Sequence, residues 1–104
     1  MIENIDSTLK KLNTYFHSTN PDMSEKERLF SRVIKLNEEV GELCEAILSE
    51  NDKNQRIKDK VIDVDVELAD VLICTLLLAQ DREKNVWIEV ENKLQKISQK
   101  FNLN

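Results

Sequence analysis

Ser24-Glu25-Lys26-Glu27-Arg28-Leu29-Phe30-Ser31-Arg32-Val33-Ile34-Lys35-Leu36-Asn37-Glu38-Glu39-Val40-Gly41-Glu42-Leu43-Cys44-Glu45-Ala46-Ile47-Leu48 reads as one long helix. Leu29, Val33, Leu36, Val40, Leu43 and Ile47 recur at three- and four-residue spacing and form one stripe. Phe30, Ile34, Cys44 and Leu48 extend it round the helix, giving an apolar surface wider than one neighbouring helix needs. Ser24 and Glu27 have the S-x-x-E form of a capping box, which marks the start. Working outward, Asp63 to Gln80 is helical again and apolar almost all round after Leu68, and is therefore central. From Glu3 to His17, Ile5, Leu9, Leu12 and Phe16 fall on one helical face. Asn85 caps a last helix whose Val90, Leu94, Ile97 and Phe101 repeat that spacing. Ser18 to Asp22 is a turn cluster holding the only proline, Ser49 to Gln55 a polar loop, and Asp81 to Asn85 a break. Residues 56–62 read equally as a short helix or an extended lead-in. The expectation is an all-α fold of four helices, the second and third long and mostly buried.

The chain has 104 residues, room for a single domain over 1–104 and one modest core. With one Gly and one Pro it lacks the turns of an all-β fold, and 40% hydrophobic content excludes the disordered class. The longest apolar stretch, Val71 to Ala79, is too short to span a bilayer, and no secretory segment opens the sequence. Two cysteines without C-x-x-C spacing point to a reducing compartment and a cytoplasmic protein. A net charge of −5 without a basic stripe argues against nucleic acid as a partner, though a small anion escorted by a metal ion or local lysines is compatible with it.

Glu38-Glu39-Val40-Gly41-Glu42 and Glu67-Leu68-Ala69-Asp70 place acids three apart on the second and third helices. Such pairs lie about 60° apart around a helix and converge on one point. Two antiparallel helices carrying them aim four carboxylates at a common site, an all-oxygen set suited to Mg²⁺ or Mn²⁺. Twenty acids also generate such pairs by composition alone, as at Glu3/Asp6, Asp22/Glu25 and Glu42/Glu45. Three features set these pairs apart. The stripe of Glu67 becomes apolar one turn on, at Val71, Cys74, Leu77 and Leu78; the acids sit in the two most apolar helices, where unpaired charge is expensive; and Gly41, the only glycine, falls mid-helix at a cost of about 1 kcal/mol. Glu38 projects nearly opposite the centre of the main apolar stripe and fits a solvated face.

With Lys35 to Leu43 followed by Glu67 to Leu72, the sequence resembles the MazG-like, all-α nucleotide pyrophosphohydrolases: E-E-x-x-E, a gap of 24 residues, then E-x-x-D, within "EVGEL" and "ELADVL". The resemblance implies a four-helix bundle completed by oligomerisation, as a homodimer or homotetramer. It implies Mg²⁺-dependent hydrolysis of a nucleoside triphosphate, ordinary or aberrant, to the monophosphate and pyrophosphate, and the oxygen ligands would admit Mn²⁺ as well. Carried over residue by residue, Glu39, Glu42, Glu67 and Asp70 are the metal ligands, and Glu38 is the extra acid that positions a ligand, a second ion or the attacking water. Glu38 or Glu39 would take the proton from that water. Relatives often carry a final helix with "KLxKNxxR"; this chain has Lys93, Lys96 and Lys100 for substrate phosphates, but Ile97 replaces the asparagine and Lys100 the arginine.

No Walker loop or nucleophilic triad competes for the role, and one histidine excludes a ferritin-like di-iron site. Cys44 and Cys74 read as buried small hydrophobes, and His17 as a cation stabilising a helix C-terminus. Trp87, Tyr15, Phe16 and Phe30 are each either base-stacking, core or interface residues. The alternative to an enzyme is a catalytically silent helical interaction module with a solvated acidic stripe.

Overall fold

The computed structural model describes residues 2–51 and 63–103, in four helices: α1 (Ile2–Thr19), α2 (Glu25–Asn51), α3 (Val64–Asp81) and α4 (Val86–Lys100). Side chains set their ends. The carbonyls freed at the close of α1 are taken by the Ser18 hydroxyl, donating to Tyr15 O at 2.7 Å, and the Thr19 hydroxyl, donating to Phe16 O at 3.1 Å. The capping box forms as expected: Glu27 N–H donates to Ser24 Oγ and Ser24 N–H to Glu27 Oε1, both at 3.1 Å. The backbone and hydroxyl of Ser24 hold the Glu27 carboxyl below its ordinary pKa. Asp63 caps α3 and Asn85 caps α4, each accepting from the amides two and three residues on.

Two helix ends depart from what local sequence suggests. Glu83 (φ 56°) and Asn102 (φ 55°) adopt the left-handed conformation after α3 and α4. Lys84 N–H reaches Ala79 O at 3.4 Å and Leu103 N–H reaches Ser98 O at 2.9 Å, closing both helices with the Schellman pattern although neither position is glycine. In addition α2 runs on through Ser49, Glu50 and Asn51, where the polar run suggests a loop, and the Asn51 amide closes its last turn on Ile47 O at 2.8 Å. The remainder of that loop and the ambiguous stretch 56–62 lie outside the described residues.

Helices α2 and α3 pack along each other. Glu39 faces Glu67 and Asp70 while Arg32, two turns earlier, meets Asp81 further along α3, so the two run antiparallel. Helix α1 packs on α3 through Leu9, which is buried with Leu76 and Leu77; Leu12, Phe16 and Val86 surround them. The core is smaller than the patterning suggests. On α2, Leu29, Leu36 and Leu43 are half-buried, but Phe30, Ile34 and Leu48 are exposed. On α3, Leu68 and Leu72 are exposed, and α4 buries no residue at all. The Cα radius of gyration is 17.1 Å, where a compact domain of this length has about 13 Å.

Candidate metal centre

Successive turns of α2 and α3 bring three acids to one point. Glu39, Glu67 and Asp70 each offer a carboxylate oxygen within 4.8 Å of the others. Glu39 is 7% exposed, and Glu67 and Asp70 are half-buried. Lys35 Nζ lies 3.2 Å from Glu39 Oε1 and 3.7 Å from Glu38 Oε2, and the hydrogen bond to Glu39 with its charge raises the Lys35 pKa. The second oxygens, Glu39 Oε2 and Glu67 Oε2, are buried with no donor among the described residues. A buried carboxylate oxygen without a donor is costly, and like charges this close repel. A hard divalent cation answers both conditions, so the donor set fits Mg²⁺ or Mn²⁺.

The other two acids differ. Glu42 is exposed and outside the converging trio, yet the charge of Glu39, then burial, then the charge of Glu67 push its pKa up, which ties it to the cluster. Glu38 is exposed and paired with Lys35. A Cβ added at Gly41 would meet nothing within 4 Å, so no close approach within the described residues calls for the glycine.

A groove of about 450 Å³ opens from Glu39 and Asp70 and runs between α1, α2 and α3. Arg28, Arg32 and Lys35 border it on α2. With Glu39 these fall at i, i+4, i+7 and i+11, a charged stripe of the same helical spacing as the apolar one. Reading the polar residues with that period would find it. By contrast Lys93, Lys96 and Lys100 are exposed on α4 and none lines this groove. The Lys100 ammonium sits over the Phe101 ring, 5.5 Å from its centroid.

Cys44 is exposed rather than buried, since α2 turns that flank to solvent. Cys74 is half-buried on the groove wall, where burial and then the Glu39 charge raise its thiol pKa and keep it unreactive. His17 lies in the last turn of α1, as expected, and its Nε2 is also 3.1 Å from Asp81 Oδ1. Phe16 lines the groove, whereas Tyr15 and Phe30 are exposed.

An antiparallel pair of helices with facing acids on adjacent turns defines an all-α domain built round a carboxylate centre. The chain belongs to the family of the MazG nucleotide pyrophosphohydrolase domain, which it matches over residues 30–103. No curated protein and no solved structure matches it.

Proposed function

We propose that the protein hydrolyses nucleoside triphosphates to the monophosphate and pyrophosphate in a Mg²⁺-dependent reaction, with Mn²⁺ able to substitute. The observation that carries this reading is the pair of donorless buried oxygens on Glu39 and Glu67 within a cluster that Asp70 completes. A solvated acidic stripe, as a silent interaction module would have, does not bury Glu39 to 7% exposure.

Glu39, Glu67 and Asp70, with Glu42 beside them, would hold the cation, which supplies charge neutralisation at the phosphates and a more acidic water. Lys35, beside Glu39, lies where a phosphate oxygen needs a counter-charge. Glu38 or Glu39 accepts the proton of the attacking water. Lys93, Lys96 and Lys100 border no part of the groove in their own chain, so in this reading they meet phosphate from a second copy. A homodimer or homotetramer is supported by the exposed Phe30, Ile34 and Leu48 on α2 and by the exposed Trp87, Ile88, Leu94 and Ile97 on α4. The proposed setting is the cytoplasm; no described helix is long and apolar enough to cross a membrane.

The test is a panel of nucleoside tri- and diphosphates assayed for pyrophosphate and phosphate release, with and without Mg²⁺. Release of pyrophosphate from at least one triphosphate, abolished by chelation, is expected. A panel without metal-dependent turnover would overturn the proposal.

A further inference from the structure

The groove changes character along its length. At its acidic end the wall cation is Lys35, paired with Glu39. Seven residues from Glu39, about 10 Å along α2, the wall is Arg32, in a stretch lined by Leu12, Phe16 and Leu77. Arg32 is fixed there from three sides. Its Nε donates to Asp81 Oδ2 at 2.7 Å and its Nη2 to Asn13 Oδ1 at 2.6 Å, and the guanidinium carbon lies 5.1 Å from the Phe16 ring centroid.

The Asp81 side chain is 4% exposed and cancels the charge of Arg32. A neutralised guanidinium among apolar side chains is a weak anchor for phosphate. It remains a strong directional donor: a guanidinium carries five N–H groups, and among the described residues the Nη1 of Arg32 has no partner. A planar, immobilised donor over an apolar floor suits an uncharged planar ring with acceptors on its edge. The α1 side of this wall, Leu12 and Phe16, lies outside the residues matched by the family, 30–103.

We propose that this groove seats the base of the nucleotide, and that Arg32 donates to a carbonyl acceptor on the base edge. Asp81 is then the positioning residue that sets the guanidinium. The inference rests on the nucleotide reading above and adds an order of preference. Guanine, which offers an arginine two adjacent acceptors, and uracil or thymine, which offer carbonyls, bind better than adenine, which has ring nitrogens alone.

The experiment is calorimetric titration with Mg²⁺ and four ligands: the non-hydrolysable α,β-methylene triphosphates of guanosine, uridine and adenosine, and inorganic tripolyphosphate, which has no base. Wild-type protein should bind the guanosine analogue at least tenfold tighter than tripolyphosphate. Arg32→Gln should lose at least tenfold for the guanosine and uridine analogues and under threefold for the adenosine analogue and tripolyphosphate. Asp81→Asn should narrow the guanine-to-adenine ratio in the same sense. Ile73→Trp, which fills the groove from an exposed position and leaves the clamp intact, should weaken all three nucleotides and spare tripolyphosphate. Equal loss of tripolyphosphate in Arg32→Gln would make the residue a phosphate contact and overturn the assignment. Nucleotides binding no tighter than tripolyphosphate to wild type would overturn the base site and leave the metal chemistry standing. Binding of none of the four would overturn the nucleotide reading as well.

Discussion

Arg32 Nε donates to Asp81 Oδ2 at 2.7 Å, and this pair, with side chains 14% and 4% exposed, is where all three helices of the groove are joined. His17 and Asn13 bring in α1 from the other side. Burial alone pushes the Asp81 carboxyl up, but hydrogen bonds from Arg32 and His17 and the charge of Arg32 outweigh it and hold the pKa below the ordinary 3.8. A carboxylate depressed by folding contributes stability that is complete well above 3.8 and is lost as pH falls through that value toward the lower folded one. Asp81→Asn strands the largely enclosed Arg32 guanidinium and should cost about 3–5 kcal/mol at neutral pH. Urea unfolding at a series of pH values should show the gap between variant and wild type closing below about pH 3.8. A gap that stayed constant to pH 2 would mean that the ionised carboxylate is not what the clamp uses.

A second expectation concerns the donorless oxygens of Glu39 and Glu67. A cation that binds only the folded state stabilises it by about 2.7 kcal/mol at a hundredfold excess over Kd. For a chain of this size that is a rise of roughly 10 °C or more in Tm. Mg²⁺ or Mn²⁺ at millimolar concentration should produce it. Asp70→Asn should abolish the rise and, by relieving like-charge repulsion, lift the metal-free Tm. Melting curves unmoved by either metal would remove the centre.

Activity should separate acids by position rather than by charge. Glu39→Gln, Glu42→Gln, Glu67→Gln and Asp70→Asn are each expected to lower kcat by at least about 100-fold. Glu3→Gln and Glu25→Gln, on exposed turns away from the cluster, should stay within twofold of wild type. Should both groups respond alike, the convergence of the motif acids would have no catalytic meaning.

Much of this arrangement is legible in the sequence because caps and periods are local. Ser24 and Asn85 read as helix starts since an N-cap needs only one oxygen and an amide two or three residues on. The acidic pairs are readable since residues three apart share a helix face. What the sequence hides depends on neighbours in space. Asp81 reads as part of a break, and its partners sit on two other helices. Arg28, Arg32 and Lys35 escape a reading that follows the period through apolar residues only. The polar run Ser49 to Asn51 stays helical because each further turn keeps its backbone hydrogen bonds, whatever its side chains. An apolar stripe, finally, states that a face wants cover but not which element covers it, so the exposure of α4 is out of reach.

Two glycine exchanges test the backbone. Glu83 holds φ 56°, a left-handed conformation that a side chain resists, so Glu83→Gly should stabilise by about 1 kcal/mol. Gly41 lies within α2 with no described residue within 4 Å of where a Cβ would sit, so Gly41→Ala should stabilise the single chain by about the same amount through helix propensity. Denaturant unfolding at low protein concentration measures both. A destabilised Gly41→Ala would mean that something beyond the described residues lies against that turn.

Assembly is the remaining expectation. Ile34 is 61% exposed and Leu48 69% exposed on α2, and no described helix of the same chain covers them. Fully burying a side chain of this kind contributes about 1.5–3 kcal/mol, so a face of several such residues drives association. A second copy related by a two-fold axis would bury it. Ile34→Glu or Leu48→Glu should therefore reduce the particle to a single chain in light scattering and lower turnover by tenfold or more. Both variants leave Glu39, Glu67 and Asp70 untouched, so Mg²⁺ should still raise their Tm. A wild-type chain that scattered as a fully active monomer would show that these faces serve some other purpose.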